Sequence, residues 1–125
     1  MKKILITGAS SGIGKELAIN LTDKTDELFL LARSIDKLEL LKKDLEEKNP
    51  SLKCECIKYD LSDIENLDKI IENYDIDLLI NCAGFGKITD FSKLSDKEDL
   101  DTINVNFISP MLLTKKYIVR RKFGK

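Results

Sequence analysis

The chain reads Thr7-Gly8-Ala9-Ser10-Ser11-Gly12-Ile13-Gly14 directly after a short apolar strand and at the start of a helix, and this stretch decides the fold. Gly8 permits the sharp strand-to-helix turn, and Gly12 lets the backbone approach a pyrophosphate without an intervening Cβ. Gly14 allows the helix to pack close to the strand. The helix directs N–H groups and the positive end of its dipole toward an anion. The stretch therefore predicts a nucleotide cofactor.

The glycine spacing separates this turn from two better-known phosphate loops. It reads G-x-x-x-G-x-G, whereas the common dinucleotide fingerprint is G-x-G-x-x-G. In an NTPase loop, G-x-x-x-x-G-K-[ST], Gly14-Lys15 would supply the end, but Ala9 would replace the first glycine and Glu16 the Ser/Thr. The Mg²⁺ ligand would then be lost and a carboxylate would face the phosphates, so an NTPase is disfavoured.

Composition limits the classes of protein that the chain can represent. Its 125 residues are enough for one domain, predicted over 1–125, and the net charge of −1 argues against a nucleic-acid partner. We find no run of about eighteen apolar residues and no signal peptide, so we expect no membrane span and a cytoplasmic protein. Three cysteines without any histidine predict reduced thiols and no metal site.

Apolar patterning predicts strands that alternate with helices. Continuous apolar runs favour parallel strands, and the alternating third strand favours a sheet edge. The fold class is therefore α/β: a Rossmann-like parallel sheet of order 3-2-1-4 with flanking helices. The predicted strands are Lys2–Ile6, Glu27–Ala32, Lys53–Tyr59 and Ile76–Ile80. The first two predicted helices are Gly12–Leu21, with Ile13, Leu17, Ala18 and Leu21 inward, and Ser34 to about Lys48. A third helix is predicted to begin at a Ser62–Glu65 capping box. A long fourth helix is predicted to begin at a Ser95–Glu98 capping box and to run toward Arg121.

The residue after the second strand selects the cofactor. An NAD-binding domain of this type carries a carboxylate there for the ribose hydroxyls, but this chain has Arg33, nineteen residues after Gly14. A guanidinium matches phosphate oxygens in a two-pronged way, and the Ser10 hydroxyl can add a donor. We therefore predict NADP(H) in preference to NAD(H). The predicted cofactor residues of the turn are Gly8, Ser10, Ser11, Gly12, Ile13 and Gly14.

The order and spacing of four elements resemble the short-chain dehydrogenase/reductase family over almost the entire chain. T-G-x-x-x-G-x-G is similar to the family's signature. The resemblance implies that Asp60, followed by Leu61, reaches the adenine ring, and that Asn81, Ala83 and Gly84 line the nicotinamide ribose. Cys82 stands where the family's N-N-A-G element has a second Asn, which puts local hydrogen bonding in doubt more than cofactor binding.

The fourth element falls inside the long helix. The resemblance assigns Asn106 a catalytic role, in which its backbone holds a water of the proton relay, while Asn104 lies on a different helix face. Pro110 has no N–H group and cannot donate to the Asn106 carbonyl four residues earlier, which predicts a bend at this point.

The family's chemistry implies hydride transfer between NADP(H) and a small-molecule carbonyl or alcohol substrate. Its general acid/base is a Tyr in a Y-x-x-x-K helix, assisted by a Ser. Here Tyr117 is followed by Arg121 at that spacing, so we expect the cofactor-binding N-terminal part of an oxidoreductase, inactive by itself and truncated relative to the family. The alternative is a noncatalytic NADP(H)-binding or interaction module, or an inactive remnant.

The same incompleteness predicts self-association. A fourth strand at the sheet edge would expose apolar residues, and the long helix would lose part of its packing surface. If the 125 residues are the whole polypeptide, we therefore expect a marginally stable or self-associating chain, with a homo-oligomer as the expected form and partly uncovered side chains at Met111, Leu112, Leu113, Ile118 and Val119.

Overall fold

The computed structural model describes residues 2–84 and 89–123. The strands are β1 (Lys3–Thr7), β2 (Glu27–Ala32), β3 (Lys53–Lys58) and β4 (Leu78–Asn81). The helices are α1 (Gly12–Leu21), α2 (Ile35–Lys48), α3 (Asp68–Asn73), α4 (Asp96–Ile103) and α5 (Ser109–Phe123). A 3₁₀ turn covers Phe91–Lys93, and a π-helical segment, Asn104–Ile108, joins α4 to α5.

The four strands form one parallel sheet in the order β3-β2-β1-β4. Ile6 of β1 stands beside Leu30 of β2 on one side and Ile80 of β4 on the other. The predicted Rossmann-like order is confirmed, and β3 lies at an edge with alternating burial, as its sequence indicates. β4 lies at the opposite edge, where the Leu78 side chain is 46% exposed.

The chain divides into two compact units, and the first contains the sheet with α1 and α2, residues Met1–Asp60 and Asp75–Ala83. β1 and β2 are buried almost throughout because helices and neighbouring strands cover apolar runs. Ala18 of α1 and the inner face of α2 complete this core, with Leu38, Leu41 and Leu45. One inward prediction is wrong: Ile13 is 74% exposed, because it lies in the first turn of α1 beside the glycines.

The second unit, Leu61–Tyr74 and Gly84–Lys125, holds the remaining helices. The capping box predicted at Ser62–Glu65 is wrong, because α3 begins only at Asp68. Asp63 forms a local turn instead: its carboxylate accepts from the Glu65 N–H (3.1 Å) and from the Asn66 amide (2.9 Å). These hydrogen bonds, that from Asn66 first, lower the pKa of Asp63.

The capping box predicted at Ser95–Glu98 is confirmed. The Ser95 hydroxyl accepts from the Glu98 N–H at 3.1 Å, and a Glu98 carboxylate oxygen accepts from the Ser95 N–H at 3.4 Å. Leu113 departs from expectation, because it is fully buried, whereas Met111, Ile118 and Val119 are each about half exposed as expected. Within residues 2–84 and 89–123, none of the helices has both the length and the apolarity to cross a membrane.

Candidate cofactor site

The glycine turn is closely packed on two sides. Gly8 has φ +64°, and a Cβ on it would stand 2.7 Å from the backbone N and Cα of Ala83. A Cβ on Gly14 would stand 2.2 Å from the Gly8 carbonyl oxygen. A side chain at residue 14 would therefore clash with the glycine turn. The close contact predicted from the sequence was with the strand instead.

Gly12 stands in a different environment. Its φ is +57°, and among the residues that the structure describes, apart from its two chain neighbours and the nearby backbone of α1, no heavy atom lies within 4 Å of the place where its Cβ would be. Ser11, at the N-cap position of α1, and Ile13 are exposed on either side of it. The first turn of a helix has N–H groups without intrahelical acceptors. The turn thus offers an open, Cβ-free backbone surface at a helix N-terminus, which fits a phosphate group.

Thr7 is a site residue that sequence reasoning did not single out. Its side chain is almost fully buried, and its Oγ1 accepts from the backbone N–H groups of Cys82 and Ala83, both at 3.1 Å. The hydroxyl thereby fixes the segment after β4 against the end of β1. The sequence feature that could have indicated this role is a hydroxyl residue at the end of a buried strand, directly before the first glycine.

The other predicted residues of the first unit follow the carboxyl ends of the strands. Arg33 is exposed directly after β2, Asp60 is exposed two residues after β3, and Asn81 ends β4 beside Thr7. Because the strands are parallel, these ends share one edge of the sheet with the glycine turn. Ligands of open α/β sheets bind at this edge.

Two predicted residues of the second unit, Gly84 and Asn106, lie close to each other. A Cβ on Gly84 would stand 3.8 Å from Oδ1 of Asn106, so these two predicted residues are neighbours. Asn106 lies in the middle of the π-helical segment, where the Ser109 N–H donates to the Asn104 carbonyl. The bend predicted from Pro110 stays a prediction; what the structure shows at this point is the π-helical segment, and such segments are frequent at functional sites. Leu61 is buried.

The pKa values of all three cysteine thiols are raised. Burial, followed by neighbouring carboxylates, raises the pKa of Cys54 and of Cys56 to about 12. Burial also raises the pKa of Cys82, which lies next to Ala83. All three are free thiols, and a protonated thiol is a poor nucleophile and a weak metal ligand.

Comparison with known proteins identifies the family. The model of the short chain dehydrogenase family matches residues 2–124, so the chain belongs to this family. A very-long-chain 3-oxoacyl-CoA reductase of Coccidioides immitis is 33% identical over 89% of the chain and 34% of its own length. An NADP-dependent 3-hydroxy acid dehydrogenase of Schizosaccharomyces pombe is 36% identical over 91% of the chain and 46% of its own length.

Solved structures agree with this assignment. A short-chain dehydrogenase of Sphingobium yanoikuyae in complex with NADPH superimposes with a TM-score of 0.86 at 27% identity, over 96% of this chain and 48% of its own. A ketone-specific alcohol dehydrogenase of Comamonas testosteroni gives 0.85 at 27% identity, over 96% and 49%. The chain thus spans about half of these structures and less than half of the two curated relatives.

Proposed function

We propose that this chain is the NADP(H)-binding part of an oxidoreductase that interconverts carbonyl and alcohol groups. The observation that carries the proposal is the Cβ-free surface at Gly12, at the N-terminus of α1 and at the carboxyl edge of a parallel sheet. The Gly8 and Gly14 contacts hold the turn in the conformation that exposes this surface. When bound, NADP(H) supplies the hydride.

The preference for NADP(H) rests on Arg33. The guanidinium follows β2 at the position where an NAD-binding domain has a carboxylate, and it offers planar paired donors to a 2′-phosphate. The NADPH complex of the Sphingobium enzyme and the NADP-dependent dehydrogenase of S. pombe support the same preference.

Titration of Arg33→Asp with NADPH and NADH tests this assignment. We expect NADPH to bind at least about tenfold more weakly, because a carboxylate repels the 2′-phosphate and a charge-assisted pair is lost. NADH should gain affinity, since Asp can accept from the ribose hydroxyls. Lys43→Asp, an equal charge change on an exposed position of α2, should leave the NADPH/NADH ratio unchanged.

The outcomes separate two levels of the proposal. An unchanged ratio in Arg33→Asp would refute the role of Arg33, while the cofactor site would stand. A wild-type chain that binds neither NADPH nor NADH would refute the proposed function itself.

The relatives' names support the proposed substrate class. One is a 3-oxoacyl-CoA reductase and the other a 3-hydroxy acid dehydrogenase, and both names describe carbonyl–alcohol interconversion. This sequence has no Tyr followed four residues later by Lys. We therefore propose that the 125 residues bind the cofactor without turning it over, and that the acid/base residues belong to the other half of the family fold.

We also propose that the chain self-associates and that it is located in the cytoplasm. The exposed edge of β4 and the half-exposed Met111, Ile118 and Val119 support a homo-oligomer. Sedimentation at increasing concentration checks this prediction, and a monomer with a sharp, high melting transition would contradict it.

A further inference from the structure

The edge strand β3 directs part of its backbone away from the sheet. Lys53 and Tyr59 donate their N–H groups to carbonyls on the β2 side, at 3.2 and 3.1 Å. Because backbone groups alternate along a strand, the even-numbered residues of β3 direct their N–H and C=O groups to the outside. Cys54 is the first of these residues. An outward row of this kind is a template for another strand.

A carboxylate of α2 covers one of these outward groups. Glu46 Oε2 accepts from the Cys54 N–H at 3.2 Å, and Glu46 is half-buried there. Glu39 stands two helical turns earlier on the same side of α2, beside Cys56. Burial, and then this neighbouring carboxylate, raise the pKa of the Cys56 thiol. The side of α2 that faces β3 therefore carries carboxylates, and that of Glu46 occupies an outward N–H group of the strand.

The exposed face of β3 is complementary to itself. Lys53 and Glu55 are two residues apart, so they lie on one face of the strand, and both are exposed. When a second copy adds its β3 in antiparallel orientation with Cys54 opposite Cys54, each Lys53 stands opposite the Glu55 of the other copy. Opposite charges at directly opposed strand positions favour pairing. This register needs the Cys54 N–H as a donor between the copies, and Glu46 accepts from that same N–H.

We propose that the outward edge of β3 is an interaction surface for the β3 strand of a second copy, and that Glu46 holds this edge closed. While the carboxylate accepts from the Cys54 N–H, that N–H cannot donate to an incoming carbonyl. Loss of the contact therefore opens the edge, and the Lys53–Glu55 pairs select an antiparallel strand of the same sequence. The surface lies at the edge of the sheet opposite to β4, and it does not rest on the proposed NADP(H) site.

Sedimentation velocity of the whole chain over a concentration series tests the inference. Glu46→Ala removes the carboxylate, and Glu46→Asp keeps its charge but withdraws it by one methylene from the Cys54 N–H. We expect both variants to form a species of twice the wild-type mass at concentrations at least about tenfold lower than wild type requires. Glu46→Gln keeps an acceptor oxygen and should stay within about twofold of wild type. Glu47→Ala, an equal charge change at an exposed neighbour, is the matched control and should associate no more than wild type.

A charge reversal tests the register of the pairing. Added to Glu46→Ala, Lys53→Glu places carboxylates opposite each other and should abolish the gain in association. Glu55→Lys in the same protein restores opposite charges and should restore the gain. Hydrogen exchange gives a second measurement: the Cys54 amide should exchange faster in dilute Glu46→Ala than in wild type, and more slowly once that variant associates.

Three results would overturn the inference. The first is that Glu46→Ala and Glu46→Asp both sediment as wild type does, and the second is an equal gain in Glu47→Ala. The third is a gain that survives Lys53→Glu. We expect NADPH affinity to be the same in all these variants, so a wild-type chain that fails to bind NADPH refutes the proposed function alone.

Discussion

Replacing Gly14 by alanine tests the packing of the glycine turn directly. The new Cβ would lie 2.2 Å from the Gly8 carbonyl oxygen and 2.8 Å from the Gly8 carbonyl carbon. Gly8 cannot retreat easily, because its own backbone lies against Ala83, where even a Cβ would stand only 2.7 Å from backbone atoms. Both partners of the clash are backbone, so no side-chain rotation relieves it.

The expected cost is the difference between two effects. Overpacking in a closely packed site costs about 1–3 kcal/mol, and this contact belongs at the upper end because only backbone can move. Alanine in a helix is more favourable than glycine by about 1 kcal/mol, which offsets part of the cost. We therefore expect Gly14→Ala to lower the free energy of unfolding by about 1–2 kcal/mol, and the melting temperature by about 3–10 °C.

Thermal unfolding followed by circular dichroism measures this change. Gly84→Ala is the matched control, since its Cβ would make only an ordinary contact, 3.8 Å from Oδ1 of Asn106. Helix propensity alone predicts that Gly14→Ala raises the melting temperature. A Gly14→Ala protein as stable as wild type, or more stable, would therefore refute the contact between the turn and the first turn of α1.

Three further predictions concern stability. Thr7→Val leaves the Cys82 and Ala83 N–H groups without their acceptor and should cost about 2–4 kcal/mol in urea unfolding, while Thr7→Ser, which keeps Oγ, should cost much less. Glu98→Ala removes one partner of the Ser95–Glu98 capping box and should lower the free energy of unfolding by about 0.5–1 kcal/mol. Glu65→Ala lies in the pattern that forms no capping box and should change it by less than about 0.5 kcal/mol. Equal effects of the two variants in thermal melts would contradict helix starts at Asp96 and Asp68. The pKa of Cys54 is raised from 9.0 to about 12, so the folded chain keeps a proton that the unfolded chain releases, and this contribution to stability is full below about pH 9 and is lost as pH rises toward 12. Urea unfolding between pH 8 and 11 should show a smaller alkaline loss in Cys54→Ala than in wild type, and identical slopes would contradict the raised pKa.

The two capping-box patterns show where sequence reasoning succeeds. Ser95 and Glu98 make both reciprocal hydrogen bonds, because a helix continues from them without interruption. In the second pattern Asp63 takes the Glu65 N–H with its own carboxylate and forms a turn. Both patterns read Ser-Asp-x-Glu, so neither the spacing nor the Asp at the second position decides the outcome. What differs lies outside the pattern, because α4 follows Ser95 directly whereas α3 begins only at Asp68.

The predicted site residues divide in the same way. The places of the glycines, of Arg33 and of the residues after β3 and β4 relative to the strands could be predicted, because each stands at a fixed point in a strand–turn–helix pattern; their roles toward a cofactor stay predictions. Ile13 was predicted both to pack in the core and to bind the cofactor. Its exposure contradicts only the prediction that it packs in the core. The reason is that residues at the start of a helix, near a turn, do not share the burial of the helix interior.

By itself, the sequence determined the sheet order, the glycine turn and the short-chain dehydrogenase family, because periodicity and spacing are local properties that need no knowledge of distant contacts. Only the tertiary structure decided what each small or polar residue contacts. Thr7 meets the amides of Cys82 and Ala83, and Ser109 meets the Leu61 carbonyl, forty-eight residues earlier in the chain. Such pairs join segments far apart in sequence, so their geometry exists only once the parallel strands and the π-turn have set the distances.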